Sequence, residues 1–200
     1  MSDLRLPGLT VRPGEIVAII GVAGNGQSEL AVRLRDSIHG RVAHIPEDRS
    51  RDGLIAEMTI AENIALAEPS WNPRAATRRA AELIERFDIR AQSPQQHAGS
   101  LSGGNQQKVI LARELERQPG IIVAAEPTRG LDIEATRFVH DELRASAARG
   151  AAILLITSDL DEAFALGNAI HVIYRGRLSA RLAPDEAAER APMLMAGVGA

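Results

Sequence analysis

Leu101-Ser102-Gly103-Gly104-Asn105-Gln106-Gln107-Lys108 leads straight into a helical pattern that runs to Glu116, and a strand pattern follows at 120–125. Ser102 stands where an N-cap belongs, and the paired glycines expose backbone N–H groups at the positive end of the helix. A second turn of this kind, Gly21-Val22-Ala23-Gly24-Asn25-Gly26-Gln27-Ser28, follows a strand pattern at 15–20 and opens a helical pattern through Leu34. Its glycines let the chain curl so that successive N–H groups and the positive helix end face a phosphate. The chain thus carries two helix starts suited to an anion.

Outward from these turns, short runs rich in Ile, Val, Leu and Ala at 15–20, 41–45, 120–125 and 151–156 are each too short for a helix, and predict buried strands. Ala76, Ala80, Leu83, Ile84 and Phe87 repeat at helical spacing after Pro73, as do Ala135, Phe138, Val139 and Leu143 after Asp132. Strands alternating with helices predict an α/β fold with a mostly parallel sheet. Runs at 169–174 and 177–182 around Arg175-Gly176 predict a hairpin, with a last helix from Asp185.

Composition narrows the function. With 200 residues, 45% of them hydrophobic, the chain suits one soluble globular domain. It has no cysteine, which excludes a disulfide framework and a thiolate metal site. The N-terminus lacks an apolar signal region and no run is long enough to span a bilayer, so a cytoplasmic chain is expected. A formal net charge of -3, with basic residues matched by 26 acids, argues against a nucleic-acid partner. Lys108 is the only lysine.

That scarcity matters at the glycine-rich turn, which resembles a Walker A loop in which Gln27 holds the position of the phosphate-reaching lysine, while Ser28 is suited to ligating Mg²⁺. Leu101 to Lys108 resembles an intact ABC signature motif. Residues 121–132 resemble a Walker B strand running into a D-loop at Asp132, with Ala125 at the usual aspartate and Glu126 at the catalytic glutamate. Pro46-Glu47-Asp48-Arg49 falls at the Q-loop, with Glu47 at the glutamine, and Ser158 in Thr157-Ser158-Asp159-Leu160 replaces the switch histidine.

The chain therefore resembles the ATP-binding subunit of an ABC transporter, a P-loop NTPase core with a helical signature subdomain. The motifs GNGQSEL, PEDR, LSGGNQQK, PTRGLD and LMAG make it most similar to the second, degenerate nucleotide-binding domain of importers for simple sugars and nucleosides. The resemblance implies a core of about 1–48 and 119–200 and a helical subdomain of about 49–118. It implies ATP and Mg²⁺ as ligands and a second ABC domain as a head-to-tail partner. A membrane permease is the other implied partner, with the chain peripheral on the inner face of the membrane and residues 47–63 toward the permease.

By the same resemblance, Gly21, Gly24, Asn25, Gly26, Gln27, Ser28 and Glu29 would face a nucleotide. Glu126, Ser158 and Glu47 take the catalytic positions, Ser28 and Glu47 the metal. Leu101, Ser102, Gly103, Gly104, Asn105 and Gln106 would meet the partner's nucleotide. The chain departs from the pattern in a shortened N-terminal β part: Glu47 follows Ser28 by only 19 positions, and no aromatic residue precedes Trp71 to stack an adenine. An accessory half whose signature completes a partner's site is the leading expectation. A slow ATPase relying on Glu126 and Ser28, or a truncated remnant without a transport role, are the alternatives.

Overall fold

The computed structural model describes residues 4–6, 8–37, 42–68 and 70–198. The chain divides into two compact units, one of Met1–His44, Pro119–Glu126 and Leu143–Ala200, the other of Ile45–Gln118 and Pro127–Glu142.

The first unit begins with an antiparallel pair, β1 (Leu4–Leu6) and β2 (Leu9–Val11). The sequence reading placed no strand ahead of the one at 15–20, because three-residue strands are too short to display a period. Next come β3 (Ile16–Ile20), α1 (Gln27–Ser37) and β4 (Val42–Ile45), and later β5 (Ile121–Ala125), β6 (Ala152–Thr157), β7 (Ala169–Tyr174) and β8 (Arg177–Leu178). The sheet order is β4-β5-β6-β3-β7-β8. β3 pairs in parallel with β6 and β7, and β5 with β6. Strands β3, β5 and β6 are buried at every residue, as strands covered on both faces must be.

Alternate residues assign the faces. Val17, Ile19, Val123, Ala125, Leu154 and Ile156 join Ala31 and Leu34 of α1 and Leu9 and Val11 of β2 in one apolar cluster. Since strand side chains alternate, α1 and the N-terminal pair cover the same face. α6 (Leu160–Leu166) packs on β3 and β6, and α7 (Pro184–Met195) on β7.

The hairpin at Arg175-Gly176 forms with positive φ at both residues, 48° and 75°, the backbone a tight two-residue hairpin needs. The predicted strand at 177–182 is corrected, since only Arg177–Leu178 pairs as a strand. Ile173 pairs with Leu178, whereas Ile170 meets Leu182 in a lone bridge, so three steps on one side oppose four on the other. The extra residue is accommodated at Ser179, whose hydroxyl accepts the Val172 N–H at 2.9 Å, as at a bulge.

The second unit is helical: α2 (Ile60–Ala65), α3 (Pro73–Arg86), α4 (Gly103–Leu115) and the first part of α5 (Ile133–Ala148), with a π-helical turn at Arg49–Gly53 and a 3₁₀ turn at Ala98–Ser100. Local signals set the helix starts. Thr59 and Glu62 form a reciprocal capping box on α2, and the two Thr59 donors hold the Glu62 carboxyl below the usual carboxylate range. Asn72 caps α3 ahead of Pro73, as the missing N–H of proline favours.

The one lysine works here. Lys108, with only 9% of its side chain exposed, donates to the Asp88 carbonyl at 2.7 Å and carboxylate at 2.8 Å and lies 4.6 Å from the Phe138 ring centre. Asp88 has φ 48°, so the ammonium pins a left-handed turn after α3. The bond to Lys108 holds the Asp88 carboxyl below its ordinary value.

Candidate functional site

In the first unit, Gly21, Glu126 and Ser158 follow the carboxyl ends of β3, β5 and β6, three neighbours in a parallel sheet. Carboxyl ends of such strands are where α/β folds gather ligand groups. Gly21 is required by space, because a Cβ there would lie 2.7 Å from the Ile173 carbonyl oxygen. Gly24 and Gly26 have φ 87° and 108°, which turn the loop back before α1.

The interior of that loop is taken by Gln27. Its side chain leaves the residue 8% exposed, donates from Nε2 to the Val22 carbonyl at 3.1 Å and accepts the Asn25 N–H on Oε1 at 3.1 Å. It also lies 3.0 Å from where a Gly21 Cβ would sit. The carboxamide thereby uses a backbone donor that a phosphate cradle would offer to its ligand. Asn25 ties the loop elsewhere, its side-chain oxygen accepting the Arg175 N–H at 3.0 Å and its carbonyl the Gly176 N–H at 2.9 Å. Beside the loop runs a groove of about 1140 Å³ lined by Glu29, Arg33, Arg175 and Arg177 among others. Glu29 adds a negative charge in the first turn of α1, where an anion would otherwise be favoured.

Ala125 is 3% exposed and belongs to the apolar cluster beneath α1. Glu126 has φ 44°, its N–H bonds to the Ile156 carbonyl at 2.8 Å, and its carboxylate accepts the Ser158 N–H at 2.7 Å. The glutamate thus caps the turn that leads to α6, where Asp159 caps the helix in turn. This loop and strand edge fit a Mg²⁺-bound triphosphate poorly. A neutral side chain fills the cradle, an acid opens the helix, and the strand-end carboxylate is engaged by a backbone amide.

The second unit holds the other residues. Ser102 caps α4 loosely, its hydroxyl accepting the Asn105 N–H at 3.4 Å and the Asn105 side-chain amide at 2.9 Å. Asn105 also accepts the Arg90 N–H at 2.7 Å, and Gln106 donates to the Ala98 carbonyl at 3.3 Å. Leu101 is buried and Ser102 exposed. Gly103 and Gly104, the first residues of α4, have no acceptor within their own helix. Glu47 pairs with Arg129 at 2.5 Å, and Asp132 caps α5 by accepting the Ala135 N–H at 2.8 Å. Among the described residues, no cluster of three or more His, Asp or Glu side chains could hold a metal ion.

Sequence reasoning placed Arg49 only in the Q-loop stretch expected to face a permease. The structure places its guanidinium on Gly103 and bonds it to the Arg129 carbonyl at 2.8 Å. The Asn25 tie to the hairpin was likewise missed, since its partners lie 150 positions away.

A family model for ABC transporters matches residues 29–129, and the chain belongs to that family. It is 39% identical over 230 residues to the guanosine import ATP-binding protein NupO of Bacillus subtilis strain 168, covering 98% of this chain and 45% of that protein. It is 38% identical to the nucleoside import ATP-binding protein NupA of Lactococcus lactis subsp. cremoris, covering 92% and 43%, and 32% identical to the ribose import ATP-binding protein RbsA of Bacillus licheniformis, covering 95% and 45%. The chain therefore spans less than half the length of these relatives. A solved ATP-binding subunit of an ABC transporter superimposes with a TM-score of 0.73 at 25% identity, covering 96% of this chain and 86% of that one. A dimeric post-hydrolysis cassette, MJ0796 with ADP and Pi, shares the fold at a TM-score of 0.72 and 20% identity, over 91% and 95%. The chain is thus an ABC transporter ATP-binding domain with an α/β P-loop fold, close to the ATP-binding proteins of sugar and nucleoside importers. Among the described residues no helix is long and apolar enough to cross a membrane.

Proposed function

We propose that this chain acts as the accessory nucleotide-binding domain of an ABC importer for nucleosides or sugars, corresponding to the second, degenerate domain. In this reading its signature turn, Ser102 to Gln106, completes an ATP site held by a second ABC domain paired head to tail. Residues of about 49–118 serve as the helical signature subdomain, and residues 47–63 meet a membrane permease on the inner face of the membrane. Its own Walker A site is weak or silent.

The observation that carries the reading is the carboxamide of Gln27 inside the glycine loop, set against a signature turn with an exposed serine and two glycines at a helix start. When ATP is bound by a competent partner, it supplies the phosphoryl bond whose cleavage drives transport. This chain contributes donors at Ser102 and the glycine amides, which favour the negative phosphate.

The test compares ATP turnover by the chain alone, by a competent partner alone, and by the pair. Turnover is expected only with the partner and to rise when this chain is added. Multiple-turnover hydrolysis by the chain alone that vanishes in Glu126→Gln would favour a slow ATPase instead.

A further inference from the structure

Arg49 stands on a turn closed by its own hydrogen bonds. The Asp48 carboxylate accepts the N–H groups of Ser50 and Arg51, both at 3.0 Å, and the turn closes with the Leu54 N–H on the Arg49 carbonyl at 2.9 Å. Gly53 seats the turn on α4, where a Cβ would fall 2.6 Å from the Ile110 side chain. From this base the guanidinium lies over the first residue of α4: a Cβ on Gly103 would be 2.8 Å from Nη2 and 3.4 Å from Cζ. The other nitrogen, Nη1, donates to the Arg129 carbonyl at 2.8 Å, and Nη2 would stand 3.7 Å from a Cβ on Gly130.

Stability of α4 does not explain this placement, since a cation at the positive end of a helix opposes its dipole. The planar fork does explain it, because Nη2 lies against a glycine while Nη1 bonds a carbonyl, a combination the single nitrogen of lysine cannot reproduce. Two further contacts connect the same pieces, the Glu47–Arg129 pair and the close approach of Gly104 to Ala135 in α5, where an added Cβ would be 3.0 Å away.

We propose that Arg49 is a positioning residue whose guanidinium sets the signature turn at Gly103 and the D-loop at Arg129–Gly130 in one register. Its consequence for activity rests on the accessory-half reading, but the geometric claim concerns this chain alone. Glycine at 103 is then required twice, by the nucleotide's approach and by the guanidinium that lies on it.

The test uses the full chain with Arg49→Ala, Arg49→Lys, Gly103→Ala and the double variant Arg49→Ala with Gly103→Ala. In the isolated chain, hydrogen exchange is read at the Gln106 and Leu131 amides, which bond to Ser102 and Thr128, with α3 amides as the control. Arg49→Ala is expected to speed exchange at both by about tenfold relative to α3, and Arg49→Lys to restore Leu131 but not Gln106. In the reconstituted pair, Arg49→Ala should lower kcat on the order of tenfold to a hundredfold with the KM for ATP unchanged, because the nucleotide is held by the partner's loop. Gly103→Ala should cost less in the Arg49→Ala background than alone, as coupled neighbours do.

Unchanged exchange at Gln106 and Leu131 in Arg49→Ala overturns the proposal, whatever the turnover. Faster exchange with unchanged turnover upholds the positioning and sinks the accessory-half reading. Should the alanine variant fail to fold, Arg49→Lys decides through the same two amides, and equal protection at both would overturn the proposal.

Discussion

Two glycine-rich turns open helices in this chain, Gly21 to Ser28 before α1 and Leu101 to Asn105 before α4, and they use their polar groups differently. The first satisfies itself: Gln27 bonds two backbone groups of its own loop, and Asn25 fastens the loop to the Arg175-Gly176 hairpin. The second is capped by a serine whose bond to the Asn105 amide is long, and its glycines stand at the helix start. A turn whose own carboxamide accepts one of its amides has one donor fewer to offer a ligand. The contrast teaches that glycine spacing sets the path of the backbone, while the neighbouring side chains set whether an anion is welcome.

The comparison breaks most visibly at Gly103. On the accessory-half proposal, Gly103→Asp should lower a partner's stimulated ATPase rate by about 10² to 10³ or more, since it would set a carboxylate against phosphate and crowd Arg49. Stimulated turnover in the reconstituted pair checks this, and unchanged turnover with normal assembly would make the signature turn a structural cap. Next in size is the reverse change at the first turn. Gln27→Lys with Ala125→Asp should tighten ATP binding by about 1.5 to 3 kcal/mol, the range of a charged hydrogen bond. Titration calorimetry on the chain measures it, and no gain would place the deficit outside the loop.

A third prediction concerns the lysine that the first turn lacks. Lys108→Met should destabilise the fold by about 1.5 to 3 kcal/mol, through loss of its charged hydrogen bond to the Asp88 carbonyl. The other bond of Lys108, to the Asp88 carboxylate, gives the parent chain an acid limb. Because the Asp88 carboxyl is lowered in the folded state, its contribution is fully present above the unfolded value of about 3.9 and is lost as pH falls through the folded one. Denaturant unfolding between pH 5 and pH 2 should show this limb flattened in Lys108→Met.

The smallest effect separates a cap that serves the fold from one that serves a ligand. Thr59→Ala breaks a reciprocal box and should cost about 1 kcal/mol. Ser102→Ala, losing a 3.4 Å contact, should cost a few tenths of that scale. Equal losses in urea unfolding would assign Ser102 to the helix rather than to a ligand.

Much of the fold was legible because its signals are local. The strands at β3, β5, β6 and β7 appear as apolar runs, and α3 opens at Pro73 and α5 follows Asp132 as their apolar periods predict. The N-terminal pair was missed for lack of length, and the strand at 177–182 was read too long because a bulge at Ser179 leaves no mark on hydrophobic alternation.

The site divides along the same line. The sequence by itself determined the family and the order of the two glycine-rich turns, since identity and spacing are written in the chain. Only the tertiary structure decided that Asn25 ties its loop to the Arg175-Gly176 hairpin, that Glu126 closes on an amide 32 positions away, and that Arg49 lies over Gly103. A side chain adopts the rotamer its neighbours in space allow, and those neighbours are brought together by the sheet and the helix packing rather than by adjacency in sequence.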